Sequence, residues 1–143
     1  MRILLIVFIF ISSTHIVSAM EKHTFKTIIE GIKSERGGQL IIFVFLQDGF
    51  PKQHDKAIAQ YIYPANTDRL ELEILVPAEQ PFALKVLHDK NMDGKVSKNW
   101  TGIVPSDGLG FSNKARIRFS APSFDQALIR HAQQPHNISI QYF

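Results

Sequence analysis

Oxygen-bearing side chains are concentrated in one short segment of this sequence, residues 89–97. The segment follows the pattern D-x-N-x-D-G, in which Asp89, Asn91 and Asp93 occupy alternate positions before Gly94. Calcium takes about six to eight oxygen ligands, and side chains at the first, third and fifth positions of such a loop can converge on the ion. The segment therefore predicts a calcium-binding loop in which Gly94 supplies the sharp turn.

The remaining positions depart from the helix-loop-helix calcium motif. The carbonyl of Lys95 falls at position seven and Ser97 at position nine, where a water often bridges to the ion. Position twelve is Trp100, where that motif has a bidentate glutamate, so an EF-hand is rejected and Asp107 is the best candidate for an additional carboxylate. This ligand set predicts weak binding, with a Kd of about 10⁻⁴ to 10⁻³ M. The alternative is that Asn, Asp and Gly act only as turn formers.

His88 lies directly before this loop and shares a strand face with Phe82, Leu84 and Val86, while Asp89 points the opposite way. We expect a buried, hydrogen-bonded core histidine, the alternative being a group that orients the loop. A catalytic site near His88 and Asp89 is the weakest hypothesis, because no partner base, cysteine nucleophile, G-x-S-x-G elbow or H-E-x-x-H motif is identifiable. The other histidines are dispersed and expected at the surface: His23, His54, His131 and His136.

The elements that position these residues are predicted to be β-strands. Residues 69–76 alternate apolar and charged side chains, as in a half-buried strand, and residues 137–142 repeat the pattern. Residues 40–46 are apolar throughout, which predicts a central strand covered on both faces. Further strands are expected at 24–32, 57–63 and 82–88, and weaker ones at 115–119 and 127–131.

Seven or so short strands separated by turn signals predict an all-β fold, a single Greek-key β-sandwich of immunoglobulin-like or transthyretin-like type. A small barrel is the alternative. Residues 90–113 are expected to form one long loop, in which Trp100 pins the loop to the sandwich and the glycines of 108–111 allow tight folding. The sequence 108–111 is not a phosphate-binding fingerprint, because it neither follows a clear strand nor opens a helix.

The N-terminus has the three-part order of a secretory signal. Met1 and Arg2 precede an apolar run that is too short to span a bilayer, and a more polar stretch ends in Val-Ser-Ala at Ala19. We expect cleavage after Ala19, which leaves one domain at 20–143 in the periplasm or outside the cell, with no transmembrane anchor. The alternative is an uncleaved anchor. The chain has no cysteine. Loss of Arg2 leaves 15 basic and 13 acidic side chains without a basic run, so nucleic acid is excluded as a partner.

Four sequence blocks together resemble a family of exported bacterial proteins, domain-of-unknown-function family 2141. They occur in the family's order and are D-G-F-P at 48–51, H-D-x-N-x-D-G-K at 88–95, G-x-G-F-S-N-x-A-R at 108–116 and P-S-F at 122–124. The resemblance implies a single secreted β-sandwich with no established enzymatic activity. The chain departs from the family at Ile117 and near Ser120, where glycines are common, and is one residue longer between Gly102 and Gly108. Asp107 keeps the family's acidic position.

Three function classes follow from these features. The first is a non-catalytic envelope module that binds a partner protein, a glycan or a small ligand through the 90–113 loop, with calcium stiffening that loop. The second is a structural or accessory subunit in which a sheet edge pairs with another envelope protein. The third is an enzyme with its site near His88 and Asp89.

Overall fold

A computed structural model describes residues 19–130 and 134–143, and within them the chain is an all-β sandwich of two sheets. The predicted fold class is therefore confirmed. The predicted signal at 1–19 falls almost wholly outside the described residues. The strands are β1 (Lys22–Glu30), β2 (Gln39–Phe45), β3 (Ala59–Pro64), β4 (Arg69–Pro77), β5 (Phe82–Asp89), β6 (Gly108–Phe111), β7 (Leu128–Ile129) and β8 (His136–Ser139), and one helical turn, α1 (Phe124–Ala127), precedes β7.

The first sheet has the strand order β4-β1-β8, in which β1 pairs antiparallel with β4 and parallel with β8. The second sheet has the order β3-β2-β5-β6, and β7 joins β5 beside β6. The chain crosses between the sheets after β1, β3, β4 and β7. The alternation of 69–76 is observed as predicted, since Ile74 and Val76 of β4 are buried between the sheets.

The predicted central strand is β2, which is covered on both faces because the molecule has two cores. Leu40, Ile42 and Val44 face the first core, which lies between the two sheets. Ile41, Phe43 and Phe45 face a second core, which lies on the outer side of the second sheet and is closed by loops. Strand β5 is buried on both faces for the same reason. Loops thus form a third layer over the second sheet.

Phe50, in the D-G-F-P block, anchors one of these loops. Its ring makes edge-to-face contacts with Phe45, Phe111 and Phe124 at centroid distances of 5.5, 6.1 and 5.8 Å. Such pairs add about 0.5–1.5 kcal/mol each beyond the burial of their area. Ser123 begins α1 with a capping box and so holds Phe124 in this cluster. Three of the family-like blocks, 48–51, 108–116 and 122–124, therefore meet in the second core.

Three expectations for the region after β5 are wrong. The expected single loop at 90–113 contains strand β6, which pairs with β5 from Lys85↔Phe111 to His88↔Gly108. No strand forms at 115–119. Trp100 does not pin the loop to the sandwich, because its side chain is 96% exposed. Of the weak strand expected at 127–131, only Leu128–Ile129 pairs with β5 within the described residues, and His131 lies outside them.

The glycines of β6 explain how this strand reaches the edge of the first sheet. A Cβ at Gly110 would lie 2.8 Å from Cγ2 of Ile138, and a Cβ at Gly108 would overlap the ring of Tyr142. Because real Cβ contacts are longer, side chains at either position would push β6 away from the C-terminal segment. The sequence pattern G-x-G therefore serves close packing of two strands.

Candidate ligand-binding groove and the 89–97 loop

A groove of about 840 Å³ opens over the second core. Three loop segments form its walls, 51–55, 93–98 and 117–121, and β5 and β6 provide its floor. Most small-molecule sites are concave, mainly apolar clefts of about 300–1,000 Å³ with a few polar groups. Apolar side chains line this groove, namely Val96, Ile103, Leu109, Phe111, Ile117 and Phe119.

Lys85 is the polar group at the floor. It lies in β5 between Ala83 and Leu87 of the second core, and its side chain is only 4% exposed. Its Nζ donates to the carbonyl oxygen of Pro51 at 2.8 Å and contacts Nε2 of His54 at 2.7 Å. Burial lowers the pKa of Lys85 to about 8, because the ammonium loses hydration and no carboxylate offsets the loss.

His54 holds the ammonium in place from the loop above β2. Its ring stacks on Phe43 with centroids 4.1 Å apart, and its Nδ1 lies 3.1 Å from the carbonyl oxygen of Gly94. A carbonyl oxygen only accepts and an ammonium only donates, so Nδ1 carries the proton and Nε2 accepts from Lys85. Burial, and then repulsion from Lys85, lower the pKa of His54. The expectation that the dispersed histidines lie at the surface holds only in part, because His54, like His23 and His136, is half-buried.

A chain of hydrogen bonds connects this pair to the 89–97 loop. The N–H of Gly94 donates to Oδ2 of Asp89 at 2.8 Å, and the carbonyl oxygen of Gly94 accepts from His54. The chain therefore runs from Asp89 through Gly94 and His54 to Lys85. A change in the conformation of the loop at Gly94 would move the acceptor that orients the ammonium.

Three of the residues predicted to ligate calcium, Asp89, Asn91 and Asp93, are linked by hydrogen bonds at the start of the loop. Asp89 is fully buried, and its carboxylate accepts from Gln39 Nε2 and from the backbone N–H groups of Asp93 and Gly94 at 2.8–3.3 Å. Asn91 donates from Nδ2 to Oδ2 of Asp93 at 2.9 Å. Asp89, Asn91 and Asp93 are thus brought together, and hydrogen bonds already occupy much of the Asp89 carboxylate.

The other predicted ligands lie on two sides of the loop. The buried carboxylate of Asp107 accepts the backbone N–H of Ser97 at 2.7 Å. These two residues and Asn91 line a cavity of about 310 Å³, whereas Asp93 and Lys95 line the groove. Within the described residues, no three His, Cys, Asp or Glu side chains are grouped so that they could hold a metal ion.

His88 is the buried core histidine that was expected. It is 1% exposed, and both ring nitrogens have partners, Nδ1 with the hydroxyl of Tyr142 at 2.6 Å and Nε2 with the carbonyl oxygen of Gly37 at 2.7 Å. These bonds tie β5 to the C-terminal segment and to the turn before β2. Neither nitrogen faces the groove, so the geometry does not favour a reaction at His88.

The sequence reasoning did not single out Lys85. A signal for it exists, because Lys85 is the only charged residue between Pro81 and His88 in an otherwise apolar segment. On a strand covered on both faces, a lysine has no exposed side to occupy. Such a residue is a candidate functional group, since buried lysines are rare unless they are paired.

A family model covers residues 28–139 and is described as "Uncharacterized protein conserved in bacteria (DUF2141)". The chain belongs to this family. The matched range contains all four sequence blocks that carried the resemblance, so the family expected from the sequence is confirmed. No curated protein and no solved structure gives a significant match to the chain. In the part of the chain that the structure describes, no helix has the length and apolar character needed to cross a bilayer.

Proposed function

We propose that this chain is an exported, non-catalytic module of the bacterial envelope that binds a small ligand in the groove over its second core. The observation that carries the proposal is the groove itself, which is lined mainly by apolar side chains and has the buried Lys85 at its floor, in contact with the half-buried His54. A ligand site is usually an apolar cleft in which a small number of polar groups converge. The second half of the 89–97 loop forms one wall, which supports the expected role of this region in binding.

A fluorescent apolar probe tests the groove directly. N-phenyl-1-naphthylamine gains fluorescence when it enters an apolar site, and we expect saturable binding to the protein. Ala121→Trp places a large ring in the groove and should abolish this binding, whereas Ala78→Trp, at an exposed position outside the groove, should not. Equal binding by both variants would rule out the groove as the ligand site.

Calcium binding in the 89–97 loop is the second part of the proposal. The spacing of Asp89, Asn91 and Asp93 supports it, and so do two contacts, one between the Asn91 and Asp93 side chains and one from the backbone N–H of Asp93 to the Asp89 carboxylate. An ion would have to replace hydrogen bonds that Asp89 already accepts, which agrees with the weak affinity expected from the sequence. Its effect on the groove would pass through Gly94 to His54.

Export is the third part, and it rests on the N-terminal sequence. Expression of the full chain in a bacterial host should give a periplasmic or secreted product that begins at Met20. Mass spectrometry of the intact purified product reads this terminus. A product that retains Arg2 and remains with the membrane would instead be the uncleaved anchor.

A second candidate function is that of an accessory subunit that pairs through a sheet edge. Strand β3 ends the second sheet, and Ile62 on this strand is a large apolar residue that is exposed. An exposed edge of this kind can accept a strand from another protein. Co-purification of one envelope protein in stoichiometric amount, lost in Ile62→Lys and retained in Leu75→Lys, would favour this function. Leu75 is an exposed apolar residue on the other sheet and serves as the matched control.

A further inference from the structure

The ammonium of Lys85 is a buried cation for which the described residues provide no counter-charge. Its two partners are a carbonyl oxygen and a neutral imidazole, and the ion pairs found among the described residues involve other lysines and arginines. An ammonium has three N–H donors, of which these partners use two. A buried charge without a partner is costly, so a protein that keeps one usually gains something from it.

The third N–H group of Lys85 is available to a ligand because Lys85 lines the groove. The polar rim around it is also mainly basic. Lys52, Lys95 and Lys98 line the groove, against two carboxylates, Asp55 and Asp93. Since Lys85 adds a fourth positive charge, an anion in the groove meets an excess of positive charge, which is focused by apolar walls.

The apolar part of the groove extends from the floor to solvent. Leu109 and Phe111 lie at the floor with Lys85, while Ile103 and Phe119 are large apolar side chains exposed at the rim. A ligand with an apolar body would cover these two side chains. The groove therefore offers one charged contact at its base and an apolar path leading away from it.

We propose that the groove selects small amphiphiles with one anionic head group, a carboxylate, sulfonate or phosphate, which accepts a hydrogen bond from Nζ of Lys85 while the apolar body lies against Leu109, Phe111 and Phe119. This inference rests on the proposed function, because it names the ligand class of the same groove. His54 acts as a positioning residue, since it accepts from Nζ and keeps the ammonium at the floor.

A matched pair of probes separates the anionic contact from the apolar one. 8-Anilinonaphthalene-1-sulfonate and N-phenyl-1-naphthylamine share the same aromatic body, and only the first carries an anionic group. We expect the sulfonate to bind the protein at least about tenfold more tightly, as a charge-assisted hydrogen bond to a buried ammonium would give. Lys85→Met should remove this preference and leave the affinity for the neutral probe unchanged. Lys22→Met, at an exposed lysine of β1, should behave as wild type.

The outcomes distinguish the two proposals. Equal affinities for both probes in the wild type, or a preference retained in Lys85→Met, would overturn the anionic contact and leave the groove as an apolar site. Failure of both probes to bind would overturn the groove and the anionic contact together. The ratio of affinities in the wild type is informative even if Lys85→Met does not fold.

Discussion

Replacing Lys85 by methionine should change the way in which stability depends on pH. The pKa of this lysine is about 8 in the folded protein and 10.5 in its ordinary state, because burial disfavours the ammonium. The unfolded chain therefore binds more protons than the folded chain between these two values. Stability must rise with pH through this window, because deprotonation removes the charge that the folded state tolerates poorly.

The size of the effect follows from the two pKa values. The full shift costs the folded state about 3 kcal/mol when Lys85 is charged in both states. Between about pH 7 and pH 9.5 the wild type should regain about 2 kcal/mol of this cost. His54, which contacts Lys85, titrates below this window, since burial and then repulsion from Lys85 keep its pKa below its usual 6.5.

Urea unfolding at several pH values measures this difference, provided that the dependence of stability on urea stays the same in both proteins. Lys85→Met should lack the gain of about 2 kcal/mol, whatever its absolute stability. Titrating groups other than His54, whose pKa depends on Lys85, contribute to both proteins and cancel in the comparison. Tyr142, whose pKa is raised by burial, opposes the trend only at higher pH. Parallel curves for the two proteins would refute the buried, unpaired ammonium.

Three further predictions concern the residues linked to this site. In Lys85→Met the pKa of His54, followed by NMR, should rise relative to wild type because the repulsion is lost, and an unchanged value would mean that Lys85 is neutral at that pH. Calcium at about 10 mM should stabilise the wild type by roughly 1–3 kcal/mol if the Kd is near the expected range, and thermal melts of Asp93→Ala should show no such rise. If calcium does not change the melting temperature of the wild type, the residues of the 89–97 loop serve only to form a turn. Gly108→Val should lower the free energy of unfolding by about 1–3 kcal/mol through overlap with the ring of Tyr142, and a neutral effect would contradict the close packing of β6.

The strands that could be predicted from the sequence are those with a clear alternation or a continuous apolar run. Residues 69–76 and 40–46 carried such patterns and became β4 and β2. Strand β6 could not be recognised, because two of its four residues are glycines, which have no side chain to show an alternation. Its position depends instead on a tertiary contact with the C-terminal segment. The reverse error at 115–119 arose because a short alternation also occurs in loops.

The candidate site was only partly accessible to sequence reasoning. The 89–97 loop could be singled out because its candidate ligands are close in sequence, and the burial of His88 followed from its strand face. The pair of Lys85 and His54 joins residues that are 31 positions apart and meet only where a loop closes over the second core. Without the third layer, Lys85 would have been a surface lysine. A single lysine is unusual on a strand that is covered on both faces, and this signal could have identified Lys85.

The central claim is that ligands bind in the groove over the second core, and NMR shift mapping tests it most directly. Amide resonances of the isotopically labelled protein are followed as 8-anilinonaphthalene-1-sulfonate is added. Saturable shifts should concentrate at 51–55, 93–98 and 117–121, together with the strand residue Lys85. Shifts concentrated on β1, β4 and the 77–81 turn, or no saturable shifts at all, would contradict the account.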